Sequence, residues 1–306
     1  MTLELGSLFP GGEALEQNPC PLCGEDRFEP AQSAADPSAS NTEKFHVVRC
    51  LRCGLHYTNP RPTPESIGQH YRASYRPHAG KAHHDRPLRS WYPLDWLKPP
   101  VMQIRLPRLL DFGCGAGHFL VGASRLGWEP TGLDVSAAAV TAIHELTGIR
   151  ALAGSLPHAA LEPASFDLIT MWHSLEHVHE PKRTLSEARR LLLPTGRIIV
   201  AVPNFAGLPR HWFGASWYGL DLPRHLTHFD AVTLRRMLEE TGFRVVQIRY
   251  PRHADWLRSS ALLARQRHQR SFLGSLFRMK LFARLGAWTC QVKERSDAVM
   301  VLAERS

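Results

Sequence analysis

Leu109-Leu110-Asp111-Phe112-Gly113-Cys114-Gly115-Ala116-Gly117-His118 is an apolar strand that ends on an acid and enters a turn with glycine at every second position. A bulky side chain at those glycines would keep a ligand off the backbone. A strand, a glycine turn and a helix in this order place helix N–H groups at the carboxyl end of a parallel strand, where open α/β sheets bind nucleotide-like ligands. The fold class read from this start is α/β with a Rossmann-like sheet. The spacing is G-x-G-x-G after an aspartate, and the third glycine of a dinucleotide G-x-G-x-x-G would fall on His118.

The segments downstream keep the same rhythm. Glu129-Pro130-Thr131-Gly132-Leu133-Asp134 reads as a second strand ending on an acid whose two oxygens can accept from two ribose hydroxyls. Phe166 to His173 reads as the fourth strand, Leu175-Glu176-His177-Val178 follows it, and Leu193-Pro194-Thr195-Gly196 turns into a fifth, Arg197 to Val202. Together these segments resemble the class I S-adenosylmethionine (SAM) methyltransferases, the glycine turn matching motif I and Leu175–Val178 the L-E-H-V segment. The resemblance covers residues 105 to 254 and the last ten. It implies a class I methyltransferase sheet and SAM as cofactor, with Asp111, Gly113, Gly115, Gly117, Asp134, Ser155 and Trp172 as its binding residues. Many relatives carry an acid after the third strand for the adenine amino group; here Gly154 is followed by Ser155, a departure from that pattern.

At 306 residues, 43% hydrophobic and 21% charged, the chain can bury one good core with length left over. One main domain plus an appendage is the natural division: 1–60, 61–104 as linker or lid, and 105–306 with an insertion at 255–293. No stretch approaches the roughly 18 apolar residues of a membrane span. The first 20 residues carry acids and no cationic start before an apolar block, which reads as a cytoplasmic chain, with peripheral membrane contact left open. Lys plus Arg 37 against Asp plus Glu 28 gives a net charge of +9, pointing to an anionic partner: nucleic acid, phosphorylated metabolite or lipid headgroup.

Four of the six cysteines form two knuckles, Cys20-Pro21-Leu22-Cys23-Gly24 and Cys50-Leu51-Arg52-Cys53-Gly54. Two thiolates two residues apart reach one metal from a tight turn, so this is zinc-ribbon spacing, with all four positions filled by protein and a structural role. A rubredoxin-like iron site and disulfides are the alternatives. Between the knuckles, Glu29 to Thr42 is rich in Ala, Ser and Pro and reads as a loop; a short helix from Glu65 is expected to carry Tyr71 and Tyr75. This front end resembles that of bacterial methyltransferases of glycan and secondary-metabolite pathways. Residues 77–104 read either as a linker packed on the core or as a lid over the cofactor.

The methyl group of SAM is already electrophilic, so the protein has chiefly to align a nucleophile and exclude water. A hydroxyl acceptor must also lose a proton, for which histidine is best suited. His173, Glu176 and His177 fall at i, i+3 and i+4 after the fourth strand, and His225 follows Asp221-Leu222-Pro223 in the segment that relatives place over the same pocket. His177 and His225 are the candidate catalytic bases. Small-RNA 2'-O-methyltransferases and ubiquinone-pathway O-methyltransferases have a similar E-x-x-E-H with a later histidine, which in them holds a divalent ion. Here His173 replaces the first glutamate, which disfavours magnesium. Helix capping by Glu176 and His177 is the structural alternative. Trp212, Phe213, Trp217 and Tyr218 read equally as an acceptor wall or as core. Asp167 reads as a strand anchor, and Cys114 as a small packing residue.

Phe243–Tyr250 and Ser296–Glu304 read as the last two strands, and the stretch between them is the insertion. From Trp256 to Val292 it carries Arg258, Arg265, Arg267, Arg270, Arg278, Lys280 and Arg284 and no acid. Leu273, Leu276, Phe277, Leu281, Leu285 and Trp288 recur at helical spacing, a cationic amphipathic helix. Packing of that stripe on the domain is the default, with an anionic membrane surface, nucleic acid or a partner protein as alternatives. The expected function is SAM-dependent methylation of oxygen on a small-molecule or glycan-type acceptor. An RNA- or ribosome-modifying methyltransferase is one rival; a zinc-ribbon binding module on a silent methyltransferase fold is the other.

Overall fold

The computed structural model describes residues 14–37, 43–71, 88, 90–100, 105–267 and 272–306. Tyr75 and Arg270 lie outside the described residues. The N-terminal segment makes β1 (Leu15–Glu16), β2 (Phe28–Ala35), β3 (Lys44–Cys50), β4 (His56–Thr58) and β5 (Arg61–Pro62). Strands and helices then alternate: β6 (Arg108–Phe112), α1 (His118–Arg125), β7 (Glu129–Asp134), α2 (Ala137–Thr147), β8 (Arg150–Ala153), β9 (Phe166–Trp172), α3 (Pro181–Leu191) and β10 (Leu192–Pro203). After them come α4 (Leu208–Phe213), β11 (Thr227–His228), α5 (Ala231–Glu240), β12 (Phe243–Arg249), α6 (Ala254–Gln266), α7 (Phe272–Leu276), α8 (Lys280–Val292) and β13 (Ala298–Arg305).

Seven strands form the central sheet in the order β12-β13-β10-β9-β6-β7-β8. β13 pairs antiparallel with both neighbours, whereas β10, β9, β6, β7 and β8 pair parallel. Both faces of the middle strands are covered, and the period of two sorts their side chains. Leu109, Leu168, Ile199 and Met300 pack on one face with Phe119, Trp128, Trp96 and Leu97. Leu110, Ile169, Ile198, Val200 and Val301 pack on the other with Leu185 of α3 and Leu234 and Leu238 of α5. Strand order reverses beside β6, so the crevice at its carboxyl end is the binding place of such a sheet.

Helix boundaries follow local chemistry. The Ser136 hydroxyl accepts from Ala139 N at the start of α2, and Gly148, left-handed at φ +67, ends it. Asp230 and Thr233 form a capping box at α5. Asp167 anchors β9, accepting from both Arg105 guanidinium nitrogens and from Arg108 N.

Three elements differ from the sequence expectation. Glu29–Ala35 is not loop: β2 runs antiparallel to β3, with Glu29 opposite Arg49 and an ion pair of 2.9 Å between them. An edge strand with one wet face tolerates the polar, small residues that suggested a loop. The second difference is that β11 joins the N-terminal sheet, whose order is β11-β4-β3-β2. Cys20, Leu22, Cys50, Leu55 and Tyr57 accordingly share one apolar core with the large sheet. The third is the insertion, whose expected single stripe is split: Phe277 is buried against Trp212 and Phe213, while Leu281, Leu285 and Trp288 face outward. Among the described residues no helix is long and apolar enough to cross a membrane.

Candidate active site

The turn after β6 is built on left-handed backbone. Gly113, Gly115 and Gly117 have φ of +75, +50 and +77, a region costly for residues with a Cβ. A Cβ on Gly113 would lie 2.5 Å from Cβ of Ser174, and one on Gly117 would lie 2.7 Å from Ile143. The first clash corrects the simplest reading of the motif: at Gly113 a side chain meets the protein's own β9 loop. Cys114 packs against Gly132, where an added Cβ would lie 2.8 Å from its Sγ. Gly113→Ala is therefore expected to lower the melting temperature as well as ligand affinity, and an unchanged melting curve would refute this account of the turn.

Asp134 closes the turn from β7. Its Oδ2 accepts from Gly115 N at 2.8 Å and its Oδ1 from Ser136 N at 2.9 Å, so the carboxylate fixes the turn and the start of α2 while facing the crevice. Asp111 is buried and accepts from the Thr170 hydroxyl at 2.7 Å. Burial pushes its carboxyl up to about 8, with Asp134 adding to the rise and Thr170 opposing it. A cationic ligand here would draw the Asp111 carboxyl back toward the carboxylate form.

A cavity of about 2280 Å³ runs from this turn across the sheet ends. That exceeds the roughly 300–1,000 Å³ of a single small-ligand pocket and leaves room for two ligands. Ser155 and Trp172, expected near the cofactor, line it. Trp91 and Tyr92 stack at 4.1 Å and meet Trp172 edge-on. Trp96 and Leu97 are core, so the described part of 77–104 both packs on the domain and walls the cavity. Of the four aromatics after β10, Tyr218 and Trp217 line the cavity, while Phe213 and Trp212 pack in the core around Phe277. Trp217 also donates through Nε1 to Asp297 at 2.7 Å.

The same cavity is lined by three polar residues that the chain collects from distant positions. Glu176 and His177 lie in a short 3₁₀ turn, Leu175–His177, and His225 precedes β11. One ligand atom from each of Glu176, His177 and His225 lies within 4.8 Å of the others. Glu176 is 1% exposed, and among the described residues neither carboxylate oxygen has a hydrogen-bond partner. Its nearest imidazole nitrogens are His173 Nδ1 at 3.6 Å and His225 Nε2 at 3.9 Å. Burial pushes the Glu176 carboxyl up, but the histidines around it outweigh that and hold it below its ordinary value.

The two histidines are oriented by backbone. His177 Nδ1 sits 3.0 Å from the Arg224 carbonyl and 3.0 Å from the Tyr71 hydroxyl. His225 Nδ1 sits 2.9 Å from the Gly219 carbonyl. A carbonyl needs a donor, so each Nδ1 bears a proton, and in a neutral ring that leaves the lone pair on Nε2. Burial, with His225 adding, holds His177 down at about 4, so its ring is neutral near pH 7. His173 is held at φ +55, a strained position for a residue with a side chain. Its ring packs among Trp91, His253 and Trp256, and among the described residues neither ring nitrogen is hydrogen-bonded.

Sequence reading missed the clamp behind these groups. The Arg224 guanidinium is buried between Asp36, at 3.0 Å, and Asp221, at 2.5 Å. Asp36 also meets His70 Nδ1 at 3.0 Å, and Arg224 donates to the His70 carbonyl at 3.1 Å. Thr58 of β4 donates to the His225 carbonyl at 2.7 Å, and Leu226 N donates to the Glu176 carbonyl at 2.8 Å. The N-terminal sheet thus holds the segment that carries His225.

Where β3 ends at Cys50 the four knuckle sulfurs converge. Cys20 and Cys53 are 3.4 Å apart, Cys23 and Cys50 3.5 Å, and all four Sγ atoms lie within 4.8 Å of one another. A disulfide needs about 2.05 Å. Ligands about 2.3 Å from one zinc sit roughly 3.8 Å apart in a tetrahedron, which this cluster matches. Gly24 and Gly54, both left-handed, turn their N–H groups to the Cys20 and Cys50 carbonyls.

Comparison with known proteins agrees with the geometry. A family model described as a methyltransferase domain matches residues 80–248, more than half of the chain. The ubiquinone biosynthesis O-methyltransferase of Azoarcus sp. (strain BH72) is 32% identical over 128 residues, 40% of this chain and 53% of that protein. The enzyme of the same name from Xanthomonas euvesicatoria pv. vesicatoria is 25% identical over 197 residues, 59% of this chain and 82% of its own. The chain spans about half the length of the first of these relatives. Among solved structures, the [4+2]-cyclase SpnF shares the fold at a TM-score of 0.51 and 22% identity, covering 80% of this chain and 97% of its own. A Haemonchus contortus phosphoethanolamine N-methyltransferase does so at 0.52 and 19%, covering 81% and 62%. With the sheet order, the glycine turn and the family match together, the chain belongs to the class I SAM-dependent methyltransferases.

Proposed function

We propose that this protein transfers the methyl group of SAM to an oxygen of a small-molecule acceptor, with Glu176, His177 and His225 serving the acceptor. The observation that carries this reading is that two imidazoles and a buried carboxylate without a hydrogen-bond partner among the described residues line the same cavity as the glycine turn. Gly113, Gly115, Gly117 and Asp134 would hold SAM along the backbone, Asp111 would face its positive charges, and Ser155 and Trp172 would flank the rest. The relatives named as O-methyltransferases support oxygen as the target. Aromatic rings along the wall favour a flat or ring-bearing acceptor.

In this scheme His225 Nε2 would take the hydroxyl proton as the oxygen–methyl bond forms and the methyl–sulfur bond of SAM breaks, with S-adenosylhomocysteine the leaving group. Glu176, with no other partner, offsets the charge of the resulting imidazolium. His177, neutral at working pH, orients the acceptor. The test is methyl-labelled SAM with a panel of phenol, catechol and sugar hydroxyl acceptors. Label in an ether product supports the reading, and label appearing only in amines or RNA overturns it.

One observation favours a second reading: a buried carboxylate without a hydrogen bond, beside two lone-pair nitrogens, also fits a divalent cation. Such an ion would polarise the acceptor hydroxyl. Under this reading purified protein rises in melting temperature with added divalent metal, and Glu176→Gln removes the rise; under the base reading neither variant nor wild type responds.

For the four cysteines we propose structural zinc. Elemental analysis is expected to find about one zinc per chain retained by Cys20, Cys23, Cys50 and Cys53 through gentle purification, because tetrathiolate sites bind tightly. Protein free of zinc and iron, with full stability, would overturn it.

A further inference from the structure

The insertion packs inside out. The buried residues of α8 are Ala283, Gly286, Ala287 and Cys290, all small. A Cβ on Gly286 would lie 2.6 Å from Phe277 and 3.2 Å from Leu257, so the helix lies too close to its neighbours for a larger side chain. Its large apolar residues therefore point the other way. Leu281 is 63% exposed, Leu285 52%, Trp288 54% and Val292 62%. These stand at i, i+4, i+7 and i+11, one continuous row along the helix. Phe272 at 80% and Met279 at 58% extend exposed apolar surface into the preceding turn. Scattered exposed leucines need no explanation, but an ordered row with a tryptophan marks an interaction surface.

Charge selects the occupant. Arg265, Arg278, Lys280 and Arg284 are exposed in the same insertion, and no Asp or Glu occurs from 257 to 292. A second copy of this chain docking face to face would set cations against cations. RNA would meet the charge but has no use for the apolar row. An anionic lipid surface uses both: the row enters the acyl boundary while the cations stay among the headgroups. We propose that α8, with Phe272 and Met279, docks this protein on anionic membrane surfaces. Arg258 and Leu262 of α6 and Arg284, Ala287 and Gln291 of α8 also line the cavity, so the docking element and the cavity share a wall. This inference stands apart from the proposed chemistry and can fail without it.

The test is sedimentation of full-length protein with phosphatidylglycerol-containing and pure phosphatidylcholine vesicles, at low and high salt. Wild type should sediment with the anionic vesicles only, and salt should weaken it. Leu285→Ser with Trp288→Ser should abolish sedimentation while leaving the melting temperature within a few degrees of wild type, because both side chains are already wet. Neutralising Arg278, Lys280 and Arg284 together should weaken partitioning roughly 100-fold, at about a kcal/mol per cation near the surface. Wild type that ignores anionic vesicles at low salt overturns the proposal. So does sedimentation unchanged in the double serine variant, or a concentration-dependent dimer that the double variant abolishes.

Discussion

Arg224→Ala should destabilise the protein by about 3–5 kcal/mol, the cost of leaving a buried ion pair half made. Its guanidinium pairs at once with Asp36, which is buried, and with Asp221, which is partly exposed at the cavity. Removing it takes the guanidinium from a buried carboxylate that His70 also meets, and from the Asp221 carboxylate beside it. Thermal or urea unfolding measures the loss directly. Asp36→Asn, which keeps the shape and removes one charge, should cost less. It should still lower turnover, because Asp36 steadies the segment whose carbonyl at Arg224 accepts from His177. A variant pair that unfolds like wild type would mean the clamp is solvated and contributes nothing.

His225→Ala is expected to lower turnover by roughly 100-fold or more, the usual worth of a positioned general base, with SAM affinity nearly intact. Glu176→Gln should fall in the same direction, since it removes the charge that steadies the imidazolium. Because the histidines around it hold Glu176 in its charged form, removing that charge should also lower the melting temperature modestly. A loss of turnover far larger than the change in melting temperature accounts for is what a purely structural glutamate would not show. His225→Ala with unchanged turnover on a confirmed acceptor would remove the base assignment.

Much of this molecule was legible because its signals are local. The G-x-G-x-G turn, the acid closing β7 and the paired Cys-x-x-Cys knuckles are each set within a few residues, and the strands on either side of them fall where alternation and apolar runs put them. His177 and His225 were legible as candidates through resemblance and residue type. Their meeting was not: it depends on β11 pairing with β4, an encounter between residues 56–58 and 227–228 that no periodicity announces. Asp36 and Arg224 are 188 positions apart, and each alone reads as an ordinary surface charge. β2 was hidden by small and polar residues that suit a loop as well as an edge strand. The stripe on α8 was read correctly as apolar but assigned to the interior, because hydrophobic periodicity reports a face without saying what covers it. The small residues on the opposite face, with Gly286 against Phe277, carried the information that this helix packs the other way round.

The central claim is that the crevice at the end of β6 is a SAM site governed by Asp134, and isothermal titration of SAM tests it most directly. Wild type should bind one SAM per chain. Asp134→Ala should weaken binding by roughly 10- to 150-fold, equivalent to the about 1.5–3 kcal/mol of hydrogen bonds to a charged group. Wild-type protein that takes up no SAM, or a variant that binds it as tightly as wild type, would contradict the account.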